Sequence, residues 1–200
     1  DRKDTMTVKK TVFIISDDYF YLNGLGFLLK NENNLNVFCH YVDQNQQECF
    51  SDGIPFENYN EKSIIILAVD DLNLIRNFAA RFRTNIVFSL RTLGKREMAL
   101  CYKGFLVINR CLSSWRMLDV IKKYGRVSFM PGISLTQKEE QVIFNYFNLT
   151  GAQFSSFKYK TGVKKISHYK RSAYQKMLVN GDGEAHFVVK ALSEIRTGML

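Results

Sequence analysis

The sequence predicts a doubly wound α/β domain followed by an all-helical domain. Two observations support this: short β-like runs alternate with helical patterns over the first part of the chain, and after residue 134 the patterns are helical to the end. With 200 residues, the chain is long enough for one large domain or two small ones with real cores. An apolar fraction of 46% and an aromatic fraction of 14% exclude a disordered protein.

Five apolar runs predict the strands of the first domain. None alternates cleanly between apolar and polar residues, which is typical of strands buried on both faces of a parallel sheet. The runs are Val12–Ser16, Asn36–Tyr41, Ser63–Val69, Asn85–Leu90 and Gly104–Ile108. The helices predicted between and after them are Tyr21–Lys30, Gln44–Phe50, Leu72–Arg83, Lys95–Tyr102 and Ser113–Tyr124, the last with Trp115, Leu118 and Ile121 or Lys122 facing inward. We therefore predict a five-stranded parallel sheet of the flavodoxin-like kind.

The stretch "VSFMPGIS" at 127–134 separates the alternating β-like and helical patterns from the purely helical ones. It contains one of only two prolines in the chain, and we predict it to be a linker between domains at 1–126 and 135–200. A helix then begins at Thr136, which forms a capping box with Glu139. Its predicted buried residues are Val142, Ile143, Phe144, Tyr146 and Phe147, and the helices predicted after it are Gln153–Tyr159, 164–177 and Glu184–Ile195.

The charge of the chain is unevenly distributed. A formal net charge of +9 favours a polyanionic partner, either nucleic acid or an anionic membrane surface. No Asp or Glu occurs between Glu140 and Asp182, whereas seven Lys or Arg residues lie in that window. The positive charges in this window repel one another and lower the stability of the fold. A phosphate backbone would relieve this repulsion and is the partner that best explains the window.

The stretch "KKISHYKRSAYQKM", residues 164–177, lies in this window and combines two edges. Val163, Ile166, Ala173 and Met177 form an apolar edge, whereas Lys164, Ser167, His168, Arg171, Ser172 and Gln175 fall on the opposite edge. Such a helix can dock on two others and present its polar edge to a major groove. The alternative is a solvated charged face on an ordinary surface helix. The predicted DNA-contacting residues are Lys158, Lys160, Lys164, Lys165, Ser167, His168, Lys170, Arg171 and Lys176.

These stretches resemble the LuxR-type helix-turn-helix domain that ends response regulators of the NarL/FixJ family. "LTQKEEQVI" is similar to the opening of that domain, and "KISHYKRSAYQKM" to its recognition helix. The sequence departs from the family at three positions: Lys165 stands in place of Thr, Tyr169 in place of His and Asp182 in place of Arg. The turn "KYKTGVKK" fits that of the family with about one inserted residue. The resemblance implies a four-helix domain that binds double-stranded DNA.

The first part of the chain is similar to the receiver domain of the same family. Asp17 and Asp18 follow the first strand, where the family's acidic pair helps to hold Mg²⁺, and "NGLGFLL" resembles the helix after it. Ser89 matches the family's hydroxyl residue at the end of strand four. From the residues alone, Asp17 and Asp18 have the alternative role of capping the next helix.

Two positions depart from what phosphorylation of a receiver requires. Ile108 stands where the family has Lys, and the end of strand three places either Ala68 or Asp70 at the acceptor position. We therefore expect a degenerate receiver with an acidic pocket of Asp17, Asp18, Asp70 and Ser89 that has lost phosphorylation.

Together with the basic window, the resemblance implies a bacterial DNA-binding transcription regulator, similar to auxiliary capsule- or fimbrial-type regulators. It would act without phosphorylation, as a homodimer or paired with another regulator of the family. The alternatives are a phosphorylation-dependent regulator using Asp70, and an interaction subunit that binds DNA poorly alone. We find no nucleophile–base set and no metal-ligand spacing, so we predict no enzyme activity, catalytic residue, metal or cofactor.

The chain shows no pattern for insertion into or export across a membrane. Its longest apolar run, Ile64–Val69, is too short to span a bilayer, and no secretory apolar segment opens it, so we expect a cytoplasmic protein. The first residue is not Met and need not be the native N-terminus. The four cysteines are widely spread and are expected to be free. Gly24 and Gly26 form a lone GxG that is too weak to predict a phosphate loop.

Overall fold

The computed structural model describes residues 9–43, 59–82, 85–91, 99–124 and 133–200. Its strands are β1 (Lys10–Ser16), β2 (Leu35–Tyr41), β3 (Ile64–Ala68), β4 (Ile86–Leu90), β5 (Ala99–Tyr102), β6 (Phe105–Asn109) and β7 (Ile133–Ser134). Its helices are α1 (Tyr19–Lys30), α2 (Leu72–Arg81), α3 (Ser114–Lys123), α4 (Gln137–Asn148), α5 (Gly151–Thr161), α6 (Val163–Met177) and α7 (Asp182–Gly198). The helix predicted at Gln44–Phe50 lies outside the described residues.

The strands of the described residues form one sheet in the order β2-β1-β3-β4-β6-β5-β7. The five predicted strands correspond to β1, β2, β3, β4 and β6, and all pairs among them are parallel. β5 pairs antiparallel with β6, and β7 pairs parallel with β5. The predicted parallel sheet is therefore extended at one edge by two short strands.

The helix predicted over Lys95–Tyr102 is wrong for its last four residues, which form β5. Burial alternates along Ala99–Tyr102 with the period of two that a strand has. Lys103 and Gly104 both have positive φ, 51° and 85°, and form the two-residue turn into β6. Such a turn matches the twist of an antiparallel hairpin, so local backbone geometry favours the strand. Residues 92–98 lie outside the described part of the chain.

The two faces of the sheet bury different sets of apolar residues. Under α1 and α3, one layer contains residues such as Val12, Ile66, Val87 and Ile108. Within α3 the inward residues are Met117, Val120 and Ile121, whereas Trp115 is 64% exposed, so its predicted inward position is wrong. Trp115 lies two residues before Met117, about 200° around the helix, so it faces away from the sheet.

On the other face, the buried residues of the sheet and of the helical region form one continuous cluster. It includes Phe88 and Phe105 from the strands, Phe78 from α2, Phe144 from α4 and Leu192 from α7. The buried residues of α7 are Ala185, Val188, Val189, Ala191, Leu192 and Ile195. The helical region is therefore packed into the core of the α/β region.

The contact between α7 and α2 is the most extensive one between two helices of the described chain. Arg76 of α2 forms an ion pair with Glu194 of α7. A Cβ built on Gly198 would lie 2.4 Å from the carbonyl oxygen of Arg76, so the end of α7 approaches the backbone of α2 as closely as a glycine allows.

Polar contacts join α4 to the β5–β6 hairpin and to α7. The Tyr102 hydroxyl donates to Glu140 Oε1 at 2.9 Å, and Lys103 Nζ lies 3.4 Å from Glu140 Oε2. Arg196 of α7 is 3.9 Å from Glu140 and lies over the ring of Phe144. Glu140 therefore contacts both regions of the chain.

The segment predicted as a linker contains β7, which pairs with β5 through Leu100 and Cys101. Residues 125–132 lie outside the described part, and the boundaries 1–126 and 135–200 stay a prediction. Among the helices of the described residues, none combines the length and apolar character needed to cross a bilayer.

Because the core is continuous, we expect Leu192→Ala in α7 to destabilise the α/β region as well. Leu192 is fully buried, so the substitution should cost about 2–5 kcal/mol of the free energy of unfolding. The single tryptophan, Trp115 in α3, reports the unfolding of the α/β region in urea. Its transition should move to lower urea in this variant and stay in place in the exposed control Lys190→Ala. An unchanged Trp115 transition would show two independent units.

Candidate nucleic-acid interface

α6 is held in place by its apolar edge. Ile166, Ala173 and Met177 are buried, as their spacing predicts, and α6 packs on α4 and α5. Val163 is 59% exposed, so its predicted place on the buried edge is wrong. It is the first residue of the helix and directly follows Gly162, whose φ of 85° turns the chain sharply between α5 and α6.

The opposite edge of α6 is exposed and carries most of the predicted DNA-contacting residues. Lys164, Lys165, Ser167, His168 and Arg171 are all exposed. The side chains of Lys164, Lys165, Ser167 and Arg171 make no hydrogen bond or ion pair within the part of the chain that the structure describes. A basic surface with unsatisfied donors is suited to phosphates and to the acceptor atoms of guanine.

α5 extends the basic surface. Lys158 and Lys160 in its last turn are exposed, and Tyr159 between them is 92% exposed. α5 has no fully buried residue, and the predicted inward residues Phe154 and Phe157 are half-buried. The helix therefore lies on the surface of the domain with its basic end next to the start of α6.

Lys170, which the sequence predicts to contact DNA, forms an ion pair within the domain. Its Nζ lies 3.2 Å from Asp182 Oδ1 and 4.1 Å from the centroid of the Tyr146 ring. Asp182 also accepts hydrogen bonds from the hydroxyls of Tyr146 at 2.6 Å and Tyr174 at 2.9 Å. The hydrogen bond from Tyr146 lowers the pKa of Asp182, and those from Tyr174 and Lys170 lower it further. Together they outweigh burial, which by itself would raise the pKa. Lys170 is thus bound within the domain at the start of α7.

Lys176 is bound within the domain as well. Its Nζ is 2.7 Å from Oε2 of Glu139, a carboxylate that is buried between α4 and α6. Glu139 also accepts from Ser172 Oγ at 2.6 Å and from the backbone N–H of Thr136 at 2.7 Å, within the predicted capping box. Burial opposes ionisation of Glu139, but these hydrogen bonds, that of Lys176 first, lower its pKa to about 2. Lys176 therefore forms an internal ion pair, and its contact with DNA stays a prediction.

The four residues of the predicted acidic pocket lie at the carboxyl ends of neighbouring parallel strands. Asp18 caps α1 by accepting from the N–H of Tyr21 at 3.0 Å, so the capping alternative is the one observed for it. Asp17 Oδ2 accepts from the N–H of Asp70 at 2.8 Å. Ser89 is buried, with its Oγ 3.0 Å from the Tyr21 hydroxyl.

Two arginines neutralise this pocket. The Arg110 side chain is only 6% exposed; its Nη1 lies 3.3 Å from Asp17 Oδ1 and its Nη2 lies 3.1 Å from Asp70 Oδ1. The second contact is ionic rather than a well-aligned hydrogen bond, because neither atom meets hydrogen-bond geometry. Arg91, which is more exposed, lies 3.0 Å from Asp18 and 3.5 Å from Asp70.

This arrangement does not fit the Mg²⁺ ion that the receiver resemblance implies. The carboxylate oxygens of Asp17 and Asp70 that would face a cation already face the guanidinium of Arg110. Ile108 is paired in register with Ser89 and is buried in the apolar layer under α1 and α3. The positive charge of the pocket comes instead from Arg110, which sequence reasoning missed; its only sequence signal is its position just after β6.

Comparisons with known proteins give structural similarities only. No family model and no curated protein matches the chain. A structure of two RcsB dimers bound to two parallel DNAs is 17% identical, covering 93% of this chain and 98% of that chain with a TM-score of 0.49. A structure of RcsB from Salmonella typhimurium is 17% identical and covers 91% of this chain and 98% of that chain, with a TM-score of 0.38. A structure of FixJ from B. japonicum is 15% identical and covers 92% of this chain and 98% of that chain, with a TM-score of 0.37. At these TM-scores, the fold assignment rests on the strand and helix order above.

We expect Arg110→Ala to destabilise the protein by about 3–5 kcal/mol, since it leaves the 3%-exposed carboxylate of Asp17 without its cation. Arg91→Ala is the matched control, because its ion pairs are solvated and should contribute about 1 kcal/mol or less. Urea unfolding of both variants measures the difference. Equal losses would contradict the neutralising role of Arg110.

Glu139 should make stability depend on acid pH. Its pKa of about 2 in the folded chain lies below the ordinary 4.5, so its contribution is present above pH 4.5 and is lost as the pH falls towards 2. Glu139→Gln removes this contribution. Urea unfolding at a series of pH values should therefore give a difference between wild type and variant that shrinks over this window. A difference that stays constant down to pH 2 would contradict the lowered pKa of Glu139.

Proposed function

We propose that this chain is a DNA-binding transcription regulator of the response-regulator kind, with a degenerate receiver and a LuxR-type helix-turn-helix domain. α6 is its recognition helix. The protein acts as a homodimer or paired with another regulator, and it acts without phosphorylation. The residues proposed to contact DNA are Lys158, Lys160, Lys164, Lys165, Ser167, His168 and Arg171.

The observation that carries the proposal is the division of α6 into a buried apolar edge and an exposed basic edge. Lys164 and Arg171 are exposed on a helix anchored by Ile166 and Met177. A side chain on a rigid helix loses less conformational freedom on binding than one on a loop, which favours reading of base edges. One of the similar RcsB structures, that of two dimers on two parallel DNAs, is bound to DNA.

The charge balance of the helical region supports a polyanionic partner over a merely solvated face. Asp182 and Glu139 are paired with Lys170 and Lys176 inside the domain. Within the described part of the chain, these pairs leave the remaining cations of α5 and α6 without an ion pair, since Glu140 faces the β5–β6 hairpin. Phosphate groups of DNA would supply the missing negative charge.

The arginine-neutralised pocket supports the absence of phosphorylation. Transfer of a phosphoryl group to Asp70 would place further negative charge beside Asp17 and would need a cation to balance it. The guanidinium of Arg110 occupies that side of both carboxylates. The structural neighbourhood of Asp70 therefore favours a fixed state over a phosphorylation-dependent one.

DNA binding by α6 predicts that substitutions of basic residues in α6 and in α5 have different effects. Arg171→Ala and Lys164→Ala remove exposed groups, so folding should be unchanged while specific binding weakens by about 1–3 kcal/mol for a side chain bidentate to guanine. Lys158→Ala and Lys160→Ala should weaken all sequences alike and flatten the salt dependence. Fluorescence anisotropy with labelled duplexes over a salt series measures both effects.

The matched control for this titration is Lys190→Ala, which removes an exposed lysine from α7 instead of α6. It should change neither the affinity nor the salt slope beyond a small general effect. If Arg171→Ala and Lys164→Ala bind specific and random duplex as well as wild type does, the basic edge is only a solvated face. A wild-type protein with no salt-dependent binding to any duplex would favour the interaction-subunit alternative.

A further inference from the structure

A cleft opens between α4, α5 and α6 in the helical region, beside the surface proposed to contact DNA. Its volume is about 230 Å³, below the roughly 300–1,000 Å³ of pockets that hold drug-sized ligands. A helix or strand of a partner protein does not fit into this volume. The size of the cleft is suited to a small organic molecule.

The walls of this cleft are aromatic and aliphatic. The Tyr146 and Phe154 rings meet edge to face with their centroids 5.7 Å apart, and the Tyr146 hydroxyl is held by its hydrogen bond to Asp182. Ile166 is buried, whereas Val163 is 59% exposed at the edge of this apolar wall. An apolar group bound here would remove its own surface and that of the walls from water, which is favourable.

The polar groups of the cleft favour an anion. Lys158 is exposed and forms no ion pair or hydrogen bond within the part of the chain that the structure describes. Lys170 is already paired with Asp182, so Lys158 is the lining cation that stays available among the described residues. None of the described carboxylates lines the cleft, and the Ser167 hydroxyl can donate a hydrogen bond to a ligand. The cleft thus offers a cation and a hydroxyl beside an apolar wall.

The two helices that form the cleft differ in how firmly they are held. α5 has no fully buried residue, and its Phe154 is half-buried, so small shifts of this helix cost little free energy. α6 contributes Ile166, which belongs to its buried apolar edge and gives the cleft a fixed floor. One wall can therefore adjust to a ligand while the other keeps its place.

We infer that this cleft binds a small molecule with an apolar body and one anionic group, such as an aliphatic or aromatic carboxylate. The apolar body lies between Phe154, Val163 and Ile166, and the carboxylate lies beside Lys158 and Ser167. Burial of the apolar body supplies most of the affinity, because an ion pair with an exposed lysine is weak. The lysine selects an anion over a neutral or cationic molecule of the same shape.

Occupancy of the cleft competes with DNA. Lys158 and Ser167 belong both to the cleft and to the surface proposed to contact DNA. A carboxylate beside Lys158 cancels a charge that would otherwise neutralise a phosphate, and it places a negative group at the interface. The bound molecule therefore weakens DNA binding. This competition rests on the proposed function, whereas binding of the molecule does not.

Titration of the full chain with octanoate, followed by the amide NMR signals, tests the site. Saturable shifts are expected at Phe154, Val163 and Ser167. Acetate has the same charge without the chain and should cause no saturable shift. Octanol has the chain without the charge and should bind about three- to tenfold more weakly than octanoate.

Three variants locate the molecule in the cleft. Val163→Trp changes an exposed residue, so its thermal melting should match wild type, but its ring fills the cleft and should lower the octanoate affinity by about tenfold or more. Lys158→Ala should abolish the preference for octanoate over octanol. Lys160→Ala is the matched control, because this exposed lysine of the same helix does not line the cleft, and it should retain that preference.

A DNA titration with the same ligands tests the competition. Octanoate should weaken the binding of a labelled duplex to wild type but not to Val163→Trp, and acetate at equal concentration controls for ionic strength. Octanoate shifts confined to other surfaces, or an affinity that survives Val163→Trp, would overturn the inferred site. Octanoate bound in the cleft with an unchanged DNA affinity would overturn the competition. If wild type binds octanoate in the cleft but binds no duplex, the proposed function fails and the site stands.

Discussion

The packing of α7 against α2 determines how the two regions of the chain are arranged. An amphipathic helix with a wide apolar stripe has to bury it, and α7 does so on α2 as well as on α4. The close approach of Gly198 to Arg76 and the Arg76–Glu194 ion pair fix where the two helices meet. Because α6 packs on α4, the direction in which the basic edge of α6 faces is set by the same packing. The chain therefore presents its proposed DNA-reading edge from a single core.

Internal neutralisation of acidic groups is the second constraint, and it acts in both regions. Arg110 lies between Asp17 and Asp70 in the α/β region, where a receiver would hold a metal ion. In the helical region, Lys170 and Lys176 are paired with Asp182 and Glu139. The first arrangement places a cation between the two carboxylates of the pocket, and the second joins α6 to the start of α7 and to α4. Among the described residues, the cations of α5 and α6 that have no ion pair are those that face solvent.

The sequence was sufficient to predict the central strands, because continuous apolar runs such as Ser63–Val69 have few alternatives to a buried parallel strand. It also predicted the capping box at Thr136 and the buried residues Ile166, Ala173 and Met177, which depend on local spacing. It failed for β5, where a two-residue turn at Lys103 outweighs helical propensity. Helical periodicity placed Lys170 and Lys176 on α6 but could not show the carboxylates that a neighbouring helix offers. Arg110 was missed for the same reason, since Asp17 is 93 residues away.

The central claim is that the DNA-binding state is set by the fold and needs no phosphoryl group on Asp70. The most direct test is the affinity of the full-length protein for its preferred duplex, with and without acetyl phosphate and Mg²⁺, compared with Asp70→Asn. The account predicts one affinity under all conditions and no phosphorylated species on a phosphate-affinity gel. A phosphorylated species that binds more tightly, with both effects lost in Asp70→Asn, would contradict it.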